Sequence, residues 1–336
     1  MNKKFLYWSG GWDSTFELCR LSLEPVVVQP IYIIFNRLYH VGENYEINAQ
    51  NNILHLLSQR NTTKAKLLPV IRVHRKDIVV PSVVLNAWRE LYTHPLKVGL
   101  QYLYMASYSY THPNIRVMIS DYHNSTGRSM VEMRKTNFCF DKNGVGYIKK
   151  RGSYMPAYEV FGRMLYPIAS MNQTDILNWI NENKFWDIMK NVWTCFYPID
   201  GKPCGFCAEC RIKIKQHLDF MFTEEALKRG FVYNYLASNP MFSNDVNKQN
   251  AFRFALYLRL KYNPEYFDLE NRVNFIPWIH NPNYNFEREY IRKFRSYFSN
   301  EYKNEIMRYA EYYDNLLSSN IECRKFNELG QALGIV

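Results

Sequence analysis

The stretch Ser9-Gly10-Gly11-Trp12-Asp13-Ser14-Thr15 places the strongest constraint on the fold of this chain. It follows the apolar run 5–8 and precedes a helical pattern that starts at residue 16. Glycines allow backbone conformations and close approaches that other residues resist. Hydroxyl and carboxylate groups at a helix start can cap its N–H groups or bond phosphate oxygens. An ordinary strand-to-helix turn is the alternative, but this order of elements favours a phosphate-binding loop.

Strand and helix patterns alternate after this loop. Strands are predicted over 26–35, 67–73 and 115–120, and helices over 44–60, 99–110 and 172–183, the last with Asn172 or Thr174 as its cap. The alternation predicts an α/β fold, a doubly wound parallel sheet. Ligands of such sheets bind beyond the carboxyl ends of the strands. Phe35 and Asn36 are therefore expected to face a nucleotide, and the polar loop 121–128 to face a second substrate.

A second motif lies in the segment 190–215, where four cysteines cluster. They are Cys195, Cys204, Cys207 and Cys210. Two overlapping Cys-x-x-Cys turns supply thiolates that can converge on one ion, and Cys195 would complete a tetrahedron. Four thiolates make a closed site, so we expect structural Zn²⁺. A redox Cys-x-x-Cys pair and an iron–sulfur cluster are the alternatives.

Charge divides the chain into unlike parts. Residues 1–218 contain 27 basic and 16 acidic side chains, whereas residues 219–336 contain 15 of each. The basic part suits an anionic ligand such as ATP; nucleic acid is not excluded but is not favoured. The neutral tail is rich in aromatic residues and helical patterns, notably 251–258 and 286–317, which indicates core packing or a docking surface for a partner.

The residues near the start do not form a signal or membrane segment, because the apolar run stops at Ser9. A cytoplasmic protein that does not bind a membrane is therefore expected. The basic segment 129–155 is expected to form a solvated hairpin, or alternatively a lid.

The loop Ser-Gly-Gly-x-Asp-Ser at the first strand resembles the pyrophosphate-binding loop of the PP-loop ATPases, which split ATP between the α and β phosphates. Together with the Cys-x8-Cys-x2-Cys-x2-Cys spacing about 180 residues later, it resembles the 7-cyano-7-deazaguanine synthase (QueC) family. The resemblance covers residues 1–218 and implies a HUP/PP-loop fold with a zinc-bound four-Cys segment. Residues 219–336 would be a helical extension.

The resemblance also implies a reaction and its residues. ATP with Mg²⁺ would adenylate the carboxylate of a 7-carboxy-7-deazaguanine-like substrate. An amine would then displace AMP: ammonia, giving the amide and then the nitrile, or the N-terminus of a partner protein, as thought for related anti-phage enzymes. The ATP-binding positions carried over are Trp8, Ser9, Gly10, Gly11, Asp13, Ser14 and Thr15, with Phe35 and Asn36. Asp13, Lys97 and Asp121 are the expected catalytic residues.

Two departures from the family concern basic residues. Lys97 stands where the family has an arginine, and Gln173 stands where it has a lysine. Lysine lacks the planar fork of arginine, so bidentate contacts would be lost. Gln173 makes a non-catalytic subunit that keeps the fold one alternative function, and the basic residues 1–218 make a PP-loop enzyme that acts on tRNA another. A homodimer is an open question.

Overall fold

The computed structural model describes residues 2–35, 42–93, 98–112, 117–118, 137–238, 243–262, 264 and 299–318. The chain divides into two compact units. The first comprises residues 1–36 and 43–193, and the second comprises residues 37–42 and 194–336. The sequence-based boundary after residue 218 lies inside this second unit. The assignment of separate functions to 1–218 and 219–336 stays a prediction.

The first unit is a mixed α/β structure built on a parallel sheet. Its strands in chain order are β1 (Lys3–Tyr7), β2 (Val27–Ile34), β3 (Lys66–Leu67), β4 (Ile71–His74), β5 (Val117–Met118), β6 (Asn137–Phe140), β7 (Gly146–Lys149) and β8 (Met164–Leu165). Strands β3, β2, β1, β5 and β8 lie side by side in that order, and β4 pairs with β2 beyond β3. All these pairings are parallel, whereas β6 and β7 form a separate antiparallel hairpin.

Helices connect and follow these strands. They are α1 (Trp12–Ser22), α2 (Glu43–Gln59), α3 (Ser82–Thr93), α4 (Leu100–Thr111), α5 (Met155–Phe161), α6 (Gln173–Glu182) and α7 (Trp186–Met189). The predicted helices over 44–60, 99–110 and 172–183 are confirmed as α2, α4 and α6. Asn172 is the cap of α6: its side chain accepts the N–H of Asp175 at 3.0 Å, and the Asp175 carboxylate accepts the N–H of Asn172 at 2.8 Å. This reciprocal pair is a capping box.

The third predicted strand, 67–73, is interrupted in the structure. It forms β3 and β4, which pair with successive parts of β2 on the same side. The interruption contains Pro69, whose carbonyl oxygen accepts a 2.7 Å hydrogen bond from the buried side chain of Gln29. Pro30 of β2 has no N–H to donate to a neighbouring strand. A single uninterrupted third strand was wrong because proline positions break the ladder on both partners.

The second unit contains the four cysteines and the tail helices. Its helices are α8 (Ala208–Lys215), α9 (Glu224–Ser238), α10 (Asn244–Tyr262), α11 (Asn300–Met307) and α12 (Ala310–Ser318). The ring of Tyr313 lies 5.3 Å from the rings of both Phe254 and Tyr257, all of them buried. Aromatic residues of the tail therefore pack a core, as predicted. Part of the predicted helical run 286–317 lies outside the described residues.

None of the helices in the described ranges is long and apolar enough to cross a membrane.

Candidate functional site

The strand order places the glycine loop where a parallel sheet offers a crevice. From β1 the chain moves outward to β2 and β3 on one side, and later crosses to β5 on the other side of β1. The connections after β1 and β5 thus leave the sheet in opposite directions. Ligands of parallel sheets bind at this reversal, beyond the carboxyl ends of the strands. Residues 8–11, between β1 and α1, lie at that point.

The backbone of the loop has the shape that its glycines predict. Gly10 has φ +81°, in the left-handed region that favours glycine, and Gly11 precedes the first residue of α1. The N–H of Gly11 donates to the Ser9 hydroxyl at 3.2 Å, and that hydroxyl lies 3.4 Å from the hydroxyl of Ser14. Within the described ranges no side chain caps this helix start. Hydroxyls and a helix N-terminus therefore meet at one end of α1.

Two of the expected ATP-binding side chains instead face inward. The indole N–H of Trp8 donates to the Thr15 hydroxyl at 3.0 Å, and both side chains are buried. This bond ties the end of β1 to the first turn of α1, so it fixes the shape of the loop between them. The Thr15 oxygen keeps its own proton for a second hydrogen bond. Asp13 and Ser14 are half-buried, and Ser9 is exposed.

Of the remaining predicted site residues, the structure describes Phe35 but not the other three. Phe35 directly follows β2, is half-buried, and packs edge-on against Tyr104 with ring centroids 5.7 Å apart. It therefore lies at the carboxyl edge of the sheet. Asn36, Lys97 and Asp121 lie outside the described residues.

Helix α2 braces the loop through residues that the sequence analysis missed. The buried Gln50 donates to the Trp8 carbonyl oxygen at 3.2 Å, and its own side-chain oxygen accepts from Arg72 at 3.3 Å. A Cβ on Gly10 would lie 3.2 Å from both the Gln50 Cγ and the Glu46 carbonyl oxygen. Polar residues at positions 46 and 50, on the same helix face as buried Ile53 and Leu57, are the signal that could have revealed this brace.

The segment after β8 runs along α1 from its C-terminal to its N-terminal end. The Pro167 carbonyl accepts from Arg20 at 3.3 Å. Farther along, the contacts are Trp179 with Phe16, Trp186 with Trp12, and the N–H of Trp193 with the Gly10 carbonyl oxygen. Gln173 falls in the sequence between the contacts with Arg20 and Phe16. Its side-chain nitrogen and oxygen are buried without a hydrogen-bond partner among the described residues.

The four predicted cysteine ligands converge in the second unit. Their sulfur atoms all lie within 4.8 Å of one another, and all four side chains are buried. Zn–S bonds of about 2.3 Å in a tetrahedron place sulfur atoms about 3.8 Å apart, and the Cys204 and Cys210 sulfurs are 3.9 Å apart. In an iron–sulfur cluster the thiolates bind different iron atoms and are held farther apart. The group fits a single ion such as zinc.

Local turns bring these cysteines together. Cys195 precedes a two-residue hairpin at Asp200-Gly201, whose positive φ angles of 49° and 72° are typical of a type I′ turn. The N–H of Cys204 donates to the Cys195 sulfur at 3.1 Å. Cys207 caps α8, and the N–H of Cys210 in the first turn donates to its sulfur at 3.5 Å. Backbone donors and a helix N-terminus therefore face the thiolates.

The acidity of the thiols reflects their crowding. Burial raises the pKa of Cys195 and Cys210 well above the usual range of a thiol. Burial also opposes a charge on Cys207, but hydrogen bonds from the other three cysteines hold its pKa well below that range. Burial thus opposes a negative charge on Cys195, Cys207 and Cys210 alike. A divalent ion would stabilise the thiolate form of all four cysteines.

No protein-family model matches the chain, and no curated protein matches it.

Proposed function

We propose that this chain is a PP-loop enzyme of the QueC type, which uses ATP to adenylate a carboxylate and passes the acyl group to an amine. The glycine loop at the reversal point of the sheet is the observation on which this proposal rests. The motif alone leaves an ordinary turn as an alternative. A left-handed Gly10, hydroxyls at the start of α1 and a position beyond the carboxyl end of β1 all favour a phosphate group instead.

The chemistry follows from the weakness of a carboxylate as an electrophile. A carboxylate oxygen attacks the α-phosphorus of ATP, the bond to the β-phosphate oxygen breaks, and pyrophosphate leaves. The amine nitrogen then attacks the acyl carbon, AMP leaves with the former carboxylate oxygen, and the nitrogen loses a proton. With ammonia as the amine, the amide oxygen would attack the α-phosphorus of a second ATP and release pyrophosphate. The carbon–oxygen bond would then break, AMP would leave with that oxygen, and the nitrogen would lose its two protons to give a nitrile.

Three polar residues of the loop have roles in this scheme. Ser9 and Ser14 would donate to oxygens of the β- and γ-phosphates, and backbone N–H groups at the start of α1 would stabilise the charge on the leaving pyrophosphate. A carboxylate beside phosphates repels them unless a cation lies between, so Asp13 would bind the Mg²⁺ that accompanies ATP. Lys97 and Asp121 keep the catalytic roles that the family resemblance implies.

The remaining parts of the proposal concern the acyl substrate, the amine and the ion. A 7-carboxy-7-deazaguanine-like molecule is the carboxylate, and ammonia or the N-terminus of a partner protein is the amine. The four cysteines would hold structural Zn²⁺, because a site closed by four thiolates leaves no position for substrate. The closed site supports the second unit and takes no part in the reaction.

The proposal is tested by incubating the purified chain with ATP, Mg²⁺, ammonia and 7-carboxy-7-deazaguanine and measuring AMP. We expect AMP to form only when the carboxylate is present. Asp13→Asn should lower the rate by about 100-fold or more, and Ser14→Ala by about tenfold. Ser58→Ala removes an exposed hydroxyl of α2 that bonds its own helix at 2.7 Å, so it should leave the rate unchanged.

Other outcomes would favour the alternatives. Absence of AMP, together with normal binding of ATP, would favour a non-catalytic subunit. Steeply salt-dependent binding of tRNA would favour an enzyme that acts on RNA, in keeping with the basic residues 1–218.

A further inference from the structure

One face of α9 packs against the segment 204–214, which we call the cysteine loop. Four residues of this helix at spacing i, i+3, i+4 and i+7 lie on one stripe, because a helix turns once per 3.6 residues. They are Ala226, Arg229, Gly230 and Tyr233. Each contacts the segment 204–214, which carries three of the four cysteines. We call these four residues the α9 stripe.

Small residues of the stripe allow the two backbones to touch. A Cβ on Gly205 would lie 1.8 Å from the Ala226 carbonyl oxygen, a distance that no side chain can occupy. Gly205 also has φ +84°. A Cβ on Gly230 would lie 3.0 Å from the Gly205 carbonyl oxygen and 2.7 Å from Cδ1 of Ile214. The Cys-Gly-Phe-Cys turn therefore fits against α9 only because glycines stand on both sides.

The longer residues of the stripe add directed contacts. The Nε of Arg229 donates to the Cys204 carbonyl oxygen at 2.7 Å, a buried bond between residues 25 positions apart. The Arg211 guanidinium, one residue after the last cysteine, lies 3.9 Å from the ring centroid of Tyr233. Arg229 thus holds the peptide group of a cysteine directly.

The charges around the cysteines indicate what the loop is built to hold. Arg229 is 8% exposed. Burying a cation is costly unless opposite charge compensates. A divalent ion bound by four thiolates carries a net charge of −2, which would compensate this cation. Glu225, one turn before Arg229, is exposed and is therefore screened by water.

We infer that α9 completes the metal centre: Arg229 positions Cys204 through its carbonyl group, and its charge offsets that of a zinc–tetrathiolate. This inference rests on the metal site of the proposed function. It assigns part of the extension 219–336 a role that does not require a partner protein. The cysteine loop folds against the α9 stripe.

Titration of the reduced, metal-free full chain with Co²⁺ tests the inference, because tetrahedral cobalt–thiolate sites have intense visible bands; competition with a zinc chelator then gives the Zn²⁺ affinity. We expect Arg229→Gln to weaken Zn²⁺ binding about 10- to 100-fold. Arg229→Lys, which keeps the charge but loses the planar fork, should fall between Arg229→Gln and the unmodified chain. Lys228→Gln is the matched control, since it removes the same charge from the neighbouring residue outside the stripe.

The outcomes of these titrations separate the inference about α9 from the proposed metal site. Equal Zn²⁺ affinity for Arg229→Gln and Lys228→Gln would overturn the inference. If Arg229→Gln does not fold, Arg229→Lys and Gly230→Ala take its place, and unchanged affinity in both would overturn the inference equally. An unmodified chain that shows no tetrahedral cobalt bands would instead refute the metal site of the proposed function. The two failures are therefore distinguishable.

Discussion

At the scale of single residues, Gly10 is a position where the backbone tolerates little change. Its φ of +81° penalises any side chain, and a Cβ would crowd the Gln50 side chain and the Glu46 carbonyl oxygen at 3.2 Å. The same residue follows Trp8 and Ser9 at the end of β1. Conformation and packing thus both demand glycine at the centre of the proposed phosphate site.

We therefore expect Gly10→Ala to weaken ATP binding and to lower the free energy of unfolding by about 1–2 kcal/mol. Isothermal titration with ATP and urea unfolding measure the two effects. Gly99→Ala is the matched control, because Gly99 has φ −62° and the nearest atoms to an added Cβ are 3.9 Å away. Equal behaviour of the two variants would contradict this account of the loop.

Glu17 on α1 gives the fold a dependence on pH. Its carboxylate is buried and lies 3.0 Å from the Arg20 guanidinium. Burial raises its pKa from 4.5 to about 7, and the attraction of Arg20 offsets only part of this rise. The folded chain therefore holds the Glu17 proton more tightly than the unfolded chain does. This stabilisation is complete below the unfolded pKa and is lost as the pH rises through the folded pKa.

We expect the free energy of unfolding to decrease between about pH 4.5 and pH 7, and Glu17→Gln to remove most of this decrease. Urea unfolding at several pH values measures the slope. Glu182→Gln, which changes an exposed carboxyl group at the end of α6, should leave the slope as it is. An unchanged slope in Glu17→Gln would refute the assignment.

At the scale of elements, local sequence patterns predicted most of the first unit. The apolar run of β2, the helical patterns of α2 and α4 and the cap at Asn172 each depend on residues close together in the chain. The break between β3 and β4 was missed because it depends on two prolines that are far apart in the chain. Pro69 lies at the break, and Pro30 lies on the neighbouring strand β2. The helix α3 was missed because an apolar run such as Val83-Val84-Leu85 suits a strand equally well.

In the candidate site, too, local motifs could be predicted from the sequence, whereas contacts between distant residues could not. The glycine loop and the four cysteines could be found from spacing, because their residues are close together in sequence. Gln50 and Arg229 could not be assigned their contacts, since each bonds a backbone carbonyl 25 or more positions away. Only the tertiary structure shows that a helix supports each motif.

The proposed ion at the four cysteines would stabilise the second unit. The segment 195–210 folds through a hairpin and N–H bonds to sulfur, so a bound metal would supply much of its stability. We expect a zinc chelator to remove most hydrogen-exchange protection from α8 and from the turn of α9 at Ala226, while β1 and β2 keep theirs. Added Zn²⁺ should restore it. Unchanged protection of α8 after verified metal loss would contradict this view.

At the scale of the whole molecule, the chain combines a parallel α/β unit and a unit of helices and cysteines. The surplus of positive charge lies in residues 1–218, which include the proposed ATP loop, whereas residues 219–336 are neutral. This distribution suits an anionic nucleotide substrate for the first unit. The packed aromatic residues and the α9 stripe give the second unit a structural purpose of its own.

The transfer of AMP to a carboxylate is the central claim, and the fate of the carboxylate oxygen tests it most directly. 7-Carboxy-7-deazaguanine labelled with oxygen-18 in its carboxyl group is incubated with the chain, ATP, Mg²⁺ and ammonia, and the products are analysed by mass spectrometry. The account predicts that the AMP carries one oxygen-18 atom. AMP without the label, or label in phosphate or pyrophosphate, would contradict it.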